Sequence, residues 1–442
     1  MNNGAAPKAP LQARVPRRLE MKSFRVEDVA WDSKEQLADH KLILNGAIIE
    51  RLAADPANFT TVSVDITHPQ DGTRILNVLD AIEPMVKTCG PSCAYPGVNG
   101  PAHIAGRGTT HRMEGFAVVT AGSFPHPTTG ARTTKCGFID NSGDAASYCD
   151  ASDTHNLVIS ATAQSAISND DFEAAMRAAS QRVARHIAEC THNSLPDDIQ
   201  VYELTAVRDL PRVIYVLQLQ DLGPLIRPLL YGHQLGDDFL ATYIHPNEIL
   251  DGAIVSANYR ALLKLSTRMH ARNITLLELY KRHGVDLDFA GVILKRGHHP
   301  SHFLKERSAE YTANLADLLN ADGAVVTAEG SGNTTIDFMQ TIRSLERCGI
   351  ATAAVFHELG TSTGTNTPLI DTVEEANLLI SSGNAEETIR AMSPHRVLGG
   401  DVFRYFAPQT TADPYLPLEV SAFECFCGLN RMAWAGFTAV DY

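Results

Sequence analysis

"GAVVTAEGSGNTTIDFMQTIRSLERCGIATAAVFHEL", residues 323–359, holds two structural periods side by side. "GAVVTA" is a short apolar run that reads as a strand. "TIDFMQTIRSLERCG" then reads as a helix, and "ATAAVFHEL" as a second strand. Strand, helix, strand in this order makes a parallel pair joined by a right-handed crossover.

The alternation continues outward. "FAGVILKRG" (289–297) is a strand followed by helical "SAEYTANLADLLNAD" (308–322), and "VEEANLLISS" (373–382) reads as the helix after the last strand. Upstream, "RVIYVLQLQ" (212–220), "FLATYIHP" (239–246) and "GAIVSA" (252–257) read as further strands. A helix over 169–190 carries Phe172, Ala175, Met176, Ala179, Val183 and Ile187 on one face, with Asn169 or Asp170 as its cap. It is expected to open this second domain. Residues 19–165 have another texture, with "TTVSVDITHP", "RILNVLDAIEP" and "FAVVTAG" broken by Gly, Pro, Asn and Asp. The expectation is an α/β protein: a disordered tail over 1–18, a β-rich domain over 19–165, and a mostly parallel three-layer α/β domain over 166–442. The last forty residues either add an edge strand or clasp the first domain.

Composition narrows the function. A chain of 442 residues has ample core. Its net charge of −14 argues against general affinity for nucleic acid or acidic membranes. No apolar run approaches the roughly 20 residues of a membrane span, and the N-terminal stretch lacks the apolar core of a secretory signal. Eight cysteines, scattered and without a C-x-x-C spacing, suit reduced thiols in a cytoplasmic protein.

Ligands of open parallel sheets sit off the carboxyl ends of the strands. Those ends offer Asn258 and Tyr259, then His298, His299 and His302, then Glu329, Gly330, Gly332, Asn333 and Thr334, and lastly His357 and Glu358. In "EGSGNTTIDF" the glycines admit a close ligand, and Asn333 or Thr334 can cap the helix. The free N–H groups there favour a carboxylate; an ordinary turn uses the same residues. His298 and His302, completed by Glu329 or His357, make a conceivable divalent-metal site. There is no H-E-x-x-H, Walker loop, G-x-G-x-x-G or G-x-S-x-G, so nucleotide and serine-hydrolase chemistry lack support.

Several stretches resemble one family: "ITHPQDGTRILNVLDAIEPMVK", "GRGTTHRMEGFAVVTAG", "HPNEILDGAIVSAN", "LYKRHGVDLDFAGVIL" and the 323–358 stretch itself. They are similar to the precursor of the α and β subunits of component B of glycine, sarcosine and betaine reductases, to which the D-proline reductase proprotein is related. The resemblance implies a subunit that binds a small amino acid or N-methylated amine for reductive C–N cleavage. It implies a component-B-like partner, a selenoprotein or its Cys homologue, within an oligomer. It also places His111 in a shared motif, either fixing a turn or facing the strand ends of the second domain.

The family's precursor cleaves itself at an Asn–Cys bond, and the new N-terminal Cys becomes a pyruvoyl group. The resemblance puts that bond at Asn258–Tyr259. The shift requires a heteroatom on the β-carbon that attacks the preceding carbonyl and is later eliminated. The phenol oxygen of Tyr259 can do neither, so the pyruvoyl group is expected to be absent and no other cofactor is certain. Two alternatives stay open: a metal-dependent lyase or hydrolase, and a non-catalytic scaffold for the partner.

Overall fold

The computed structural model describes residues 17–90, 95, 98, 100, 103–126, 137–221, 227–256, 264–360, 369–405 and 410–428. The chain is a mixed α/β protein. One six-stranded sheet has the order Thr242–Ile244, Asp288–Gly297, Arg212–Gln220, Gly323–Ala328, Ala351–Glu358, Leu379–Asn384. Every neighbouring pair is parallel except the first, which is antiparallel. Asp288–Gly297 is buried along its whole length, and this accounts for its continuous apolar run.

Helices His302–Leu318 and Asn333–Arg347 pack on each other and on one face of this sheet. Phe338, Met339, Ile342 and Leu345 meet Ile214, Val216, Val326 and Ala354 there. From the opposite face Tyr215, Leu217, Leu219, Val292 and Leu294 share a core with Met113, Phe116 and Leu157 of the N-terminal half. One hydrophobic core therefore runs from the parallel sheet into the first half of the chain.

Among the described residues that first half holds two large sheets, beside a small three-stranded one of Asp28–Trp31, Lys41–Leu44 and Gln36–Ala38. The four-stranded one runs Asp198–Tyr202, Leu19–Arg25, Gly108–Glu114, Met85–Cys89. The other runs Gly137–Asp140, Thr73–Ile82, Phe116–Ala121, His155–Ala163, Phe59–Thr67, with Arg396–Leu398 added parallel to Thr73–Ile82.

Four local expectations need correction. Helix Asn169–Ala188 packs against the N-terminal sheets rather than opening a second domain. Phe172 stands edge-on to Phe59 and Phe124 with centroids 5.8 and 5.9 Å away, so its apolar stripe finds its complement upstream. Its cap is Ser168, whose hydroxyl accepts from the Asp171 N–H. Residues 373–382 do not form a helix: Leu379–Asn384 is a strand paired with Ala351–Glu358, where sheet pairing outweighs helical propensity. The Ile254–Val255 strand lies outside the parallel sheet and pairs antiparallel with Leu229–Leu230. Of the two placements open for the C-terminal stretch, its described part clasps the first half: Arg396–Leu398 joins that sheet, and Phe138 bridges to Cys425.

Candidate functional site

At the carboxyl ends of the parallel strands a cavity is lined by Tyr215, Asn273, Thr327, Glu329, Phe356 and His357, among others. Glu329 follows directly on Gly323–Ala328 and is 3% exposed. Two main-chain N–H groups hold its carboxylate, Leu265 to Oε1 at 2.7 Å and Gln220 to Oε2 at 3.0 Å. Such charge-assisted bonds fix an anion where water is scarce. Across the cavity the Tyr215 hydroxyl meets Thr327 Oγ1 at 2.7 Å and accepts from Asn273 Nδ2 at 3.1 Å. Burial pushes this phenol up to about 12.

Two imidazoles complete the setting. His357 is 2% exposed, and its Nε2 has no hydrogen-bond partner among the described residues. Burial alone lowers it to about 4, so the ring is neutral at pH 7. His270 is fully buried, with neither ring nitrogen hydrogen-bonded among the described residues. Its Nε2 lies 3.4 Å from Glu329 Oε1.

Asn258 and Tyr259 lie outside the described residues, within 257–263. The chain on either side of 257–263 is fastened at this site. The Ser256 hydroxyl donates to Leu265 O at 2.7 Å, and Ser256 N donates to Thr267 Oγ1 at 2.9 Å. Thr267 is in turn held by Asp80, through its N–H at 3.0 Å and its hydroxyl at 2.5 Å. Lys264 Nζ donates to Leu79 O at 2.6 Å. Strand Thr73–Ile82 of the first half thereby anchors the described residues that flank 257–263, of which Leu265 meets Glu329.

At the glycine turn the chain's own side chains crowd the backbone. Gly330 has φ +87°, and a Cβ there would stand 2.8 Å from Gln220 Cδ and 2.9 Å from Thr334 Oγ1. Only glycine suits it. The N-cap is Gly332 with no side-chain bond, whereas Asn333 turns aside to donate to His299 O at 3.2 Å. Neither Asn333 nor Thr334 caps the helix. The hydroxyls of Thr334 and Thr335 are buried without a partner among the described residues. Glu358 is half-buried at its strand end, its carbonyl accepting from Ala385 N.

His298 and His302 do not converge. His298 is largely buried and lowered to about 4 by burial, while the His302 ring is exposed and pairs with Glu306 at 3.2 Å. Among the described residues no group of three or more His, Cys, Asp or Glu side chains is arranged to hold a metal ion. His111 packs against Thr191 Oγ1 at 2.9 Å and the Phe24 ring, and does not line this cavity. The sequence reading missed Tyr215, His270, Asn273, Lys264 and Asp80. Only Asp80, a carboxylate inside the otherwise uncharged run "ILNVLDAI", carried a visible signal.

The model for glycine/sarcosine/betaine reductase component B subunits matches residues 17–409. The chain belongs to this family. It is 32% identical to glycine reductase complex component B subunits alpha and beta of Peptoclostridium acidaminophilum, over 84% of this chain and 87% of that one. It is 32% identical to the sarcosine reductase complex component B subunit alpha of that organism, over 86% of this chain and 89% of the relative. The betaine reductase complex component B subunit alpha is 31% identical, over 96% of this chain and all of the relative. No solved structure matches it. These component B relatives are named as subunits of reductase complexes, and among the described residues no helix is long and apolar enough to cross a membrane.

Proposed function

We propose that this chain is the substrate-binding, component-B-type subunit of a reductase complex that cleaves the C–N bond of a small amino acid or N-methylated amine. It works without a pyruvoyl group, because position 259 offers no β-carbon heteroatom. The observation that carries this reading is the Glu329 carboxylate, buried in the cavity that Tyr215 and Phe356 also line and held by the N–H of Leu265, whose carbonyl accepts from the Ser256 hydroxyl on the other side of 257–263. A buried anion in a cavity that aromatic residues also line suits a protonated or quaternary nitrogen. The uncapped start of Asn333–Arg347, four residues on from Glu329 in the chain, offers free N–H groups suited to an anionic group.

In this reading the partner subunit, a selenoprotein or its Cys homologue, supplies a selenolate or thiolate that attacks the α-carbon. The C–N bond breaks, the amine leaves with the bonding pair, and a carboxymethyl selenoether or thioether remains on the partner. A cationic nitrogen leaves as a neutral amine, so no imine is required. Glu329 attracts the bound cation more than a transition state that is losing its charge, and therefore serves binding rather than acceleration.

Calorimetric titration of the purified chain with glycine, sarcosine and betaine tests the assignment. Saturable binding of at least one, weakened roughly tenfold or more by Glu329→Gln, is expected from losing a charged contact. Binding unaffected by that change would remove Glu329 from the site.

A further inference from the structure

The histidine stretch 298–302 plays no part in the site above, yet one of its rings is held for a purpose of its own. His299 Nδ1 lies 2.6 Å from Asp337 Oδ1, and Asp337 is fully buried with Lys305 as a second partner. The carboxylate fixes the tautomer: Nδ1–H donates to Asp337, and the lone pair of Nε2 is left over. The His299 ring lines a cavity of about 190 Å³ together with Asp238, Phe239, Leu304, Arg307 and Ser308. This is below the roughly 300–1,000 Å³ of pockets for drug-sized ligands, and confines an occupant to about the size of one amino acid.

The polar groups on this cavity are unspent. Ser308 is 2% exposed, and its hydroxyl has no partner among the described residues. A buried hydroxyl without a partner costs free energy unless something else satisfies it. The Arg307 guanidinium lies 5.5 Å from the centroid of the Tyr311 ring, and Arg307 and Asp238 are exposed side chains on the rim of the cavity, with no ion pair among the described residues. Asp237 beside Asp238 is different, being committed to Arg296 at 2.6 Å.

We infer that this cavity is a second binding site, for a free α-amino acid with an aliphatic side chain. Arg307 and Ser308 take the carboxylate, His299 Nε2 and Asp238 take the ammonium group, and Phe239 and Leu304 form the wall for the side chain. One donor pair, one acceptor pair and an apolar wall match a zwitterion better than a simple anion, which Asp238 would repel.

The test is calorimetric titration of the full chain with L-leucine, beside 4-methylpentanoate, which lacks the amine, and isoamylamine, which lacks the carboxylate. Leucine should bind saturably at one site, with both single-charge analogues weaker. Ser308→Ala, Arg307→Gln and Asp238→Asn should each weaken it roughly tenfold, the equivalent of one hydrogen bond to a charged group. Glu329→Gln should leave leucine binding unchanged, which separates this site from the one proposed above. The inference fails if leucine does not bind. It fails equally if 4-methylpentanoate binds as tightly as leucine, or if leucine binding responds to Glu329→Gln and not to Ser308→Ala.

Discussion

Glu329 is the residue on which the proposed chemistry turns, and its two main-chain donors fix what its replacement should do. Glu329→Gln keeps the shape and loses the charge, so the complex should show a KM raised about tenfold with kcat little changed. A fall in kcat at constant KM would mean that Glu329 acts in the transition state instead. His357 gives a second expectation. Its folded value of about 4 lies below the ordinary 6.5, so between those values the unfolded chain binds a proton that the folded chain refuses. Its contribution is complete above about pH 6.5 and is lost as pH falls towards 4. Urea unfolding at pH 7 and pH 5 should show lower stability at pH 5, and His357→Gln should reduce that difference by its own share, leaving the shares of other lowered imidazoles such as His298. An unchanged difference would mean that this ring does not titrate as its burial implies. At Gly330, a Cβ would strain a backbone at φ +87° and press on Gln220. Gly330→Ala should cost about 1–2 kcal/mol, read as a lower urea midpoint; an unchanged midpoint would show that the turn relaxes freely.

Among the elements, legibility followed burial. The 212–220 and 289–297 runs are apolar because both faces are covered, and a buried run announces itself as a strand; 323–328 is covered on one face and half-buried on the other. Helix Asn333–Arg347 showed itself because one stripe faces the sheet. Residues 379–384 were misread because this edge strand is only partly buried and has no covered face to mark it. The 169–188 helix was recognised but misplaced, since an apolar stripe tells that a partner exists and not which one. The C-terminal clasp was one of two open placements, for its contacts are long in range. Arg74 is fully buried, forks onto Asp140 at 2.7 and 2.8 Å, and donates to the carbonyls of Met392, Pro414 and Leu416. Arg74→Met leaves Asp140 buried and unpaired and unties the returning segment. We expect a loss of about 3–5 kcal/mol in urea unfolding, with proteolysis between residues 392 and 416 appearing first. Wild-type resistance in that segment would show that the clasp is held elsewhere.

For the whole molecule, the site is a product of both halves. Asp80 and Lys264 tie the first half to the chain flanking 257–263, while Glu329 and His357 come from the parallel sheet. The strand-end positions of Glu329 and His357 were readable from one motif and one rule about sheets. His270, Tyr215 and Asn273 were not, because what makes them part of a site is a convergence of segments far apart in sequence. The central claim is that a component B chain with tyrosine at position 259 works uncleaved. The most direct test is the intact mass of the purified chain under denaturing conditions. One species at the full 47.9 kDa is the predicted result. Two fragments meeting at Asn258 and Tyr259 would contradict it and restore self-processing to the mechanism.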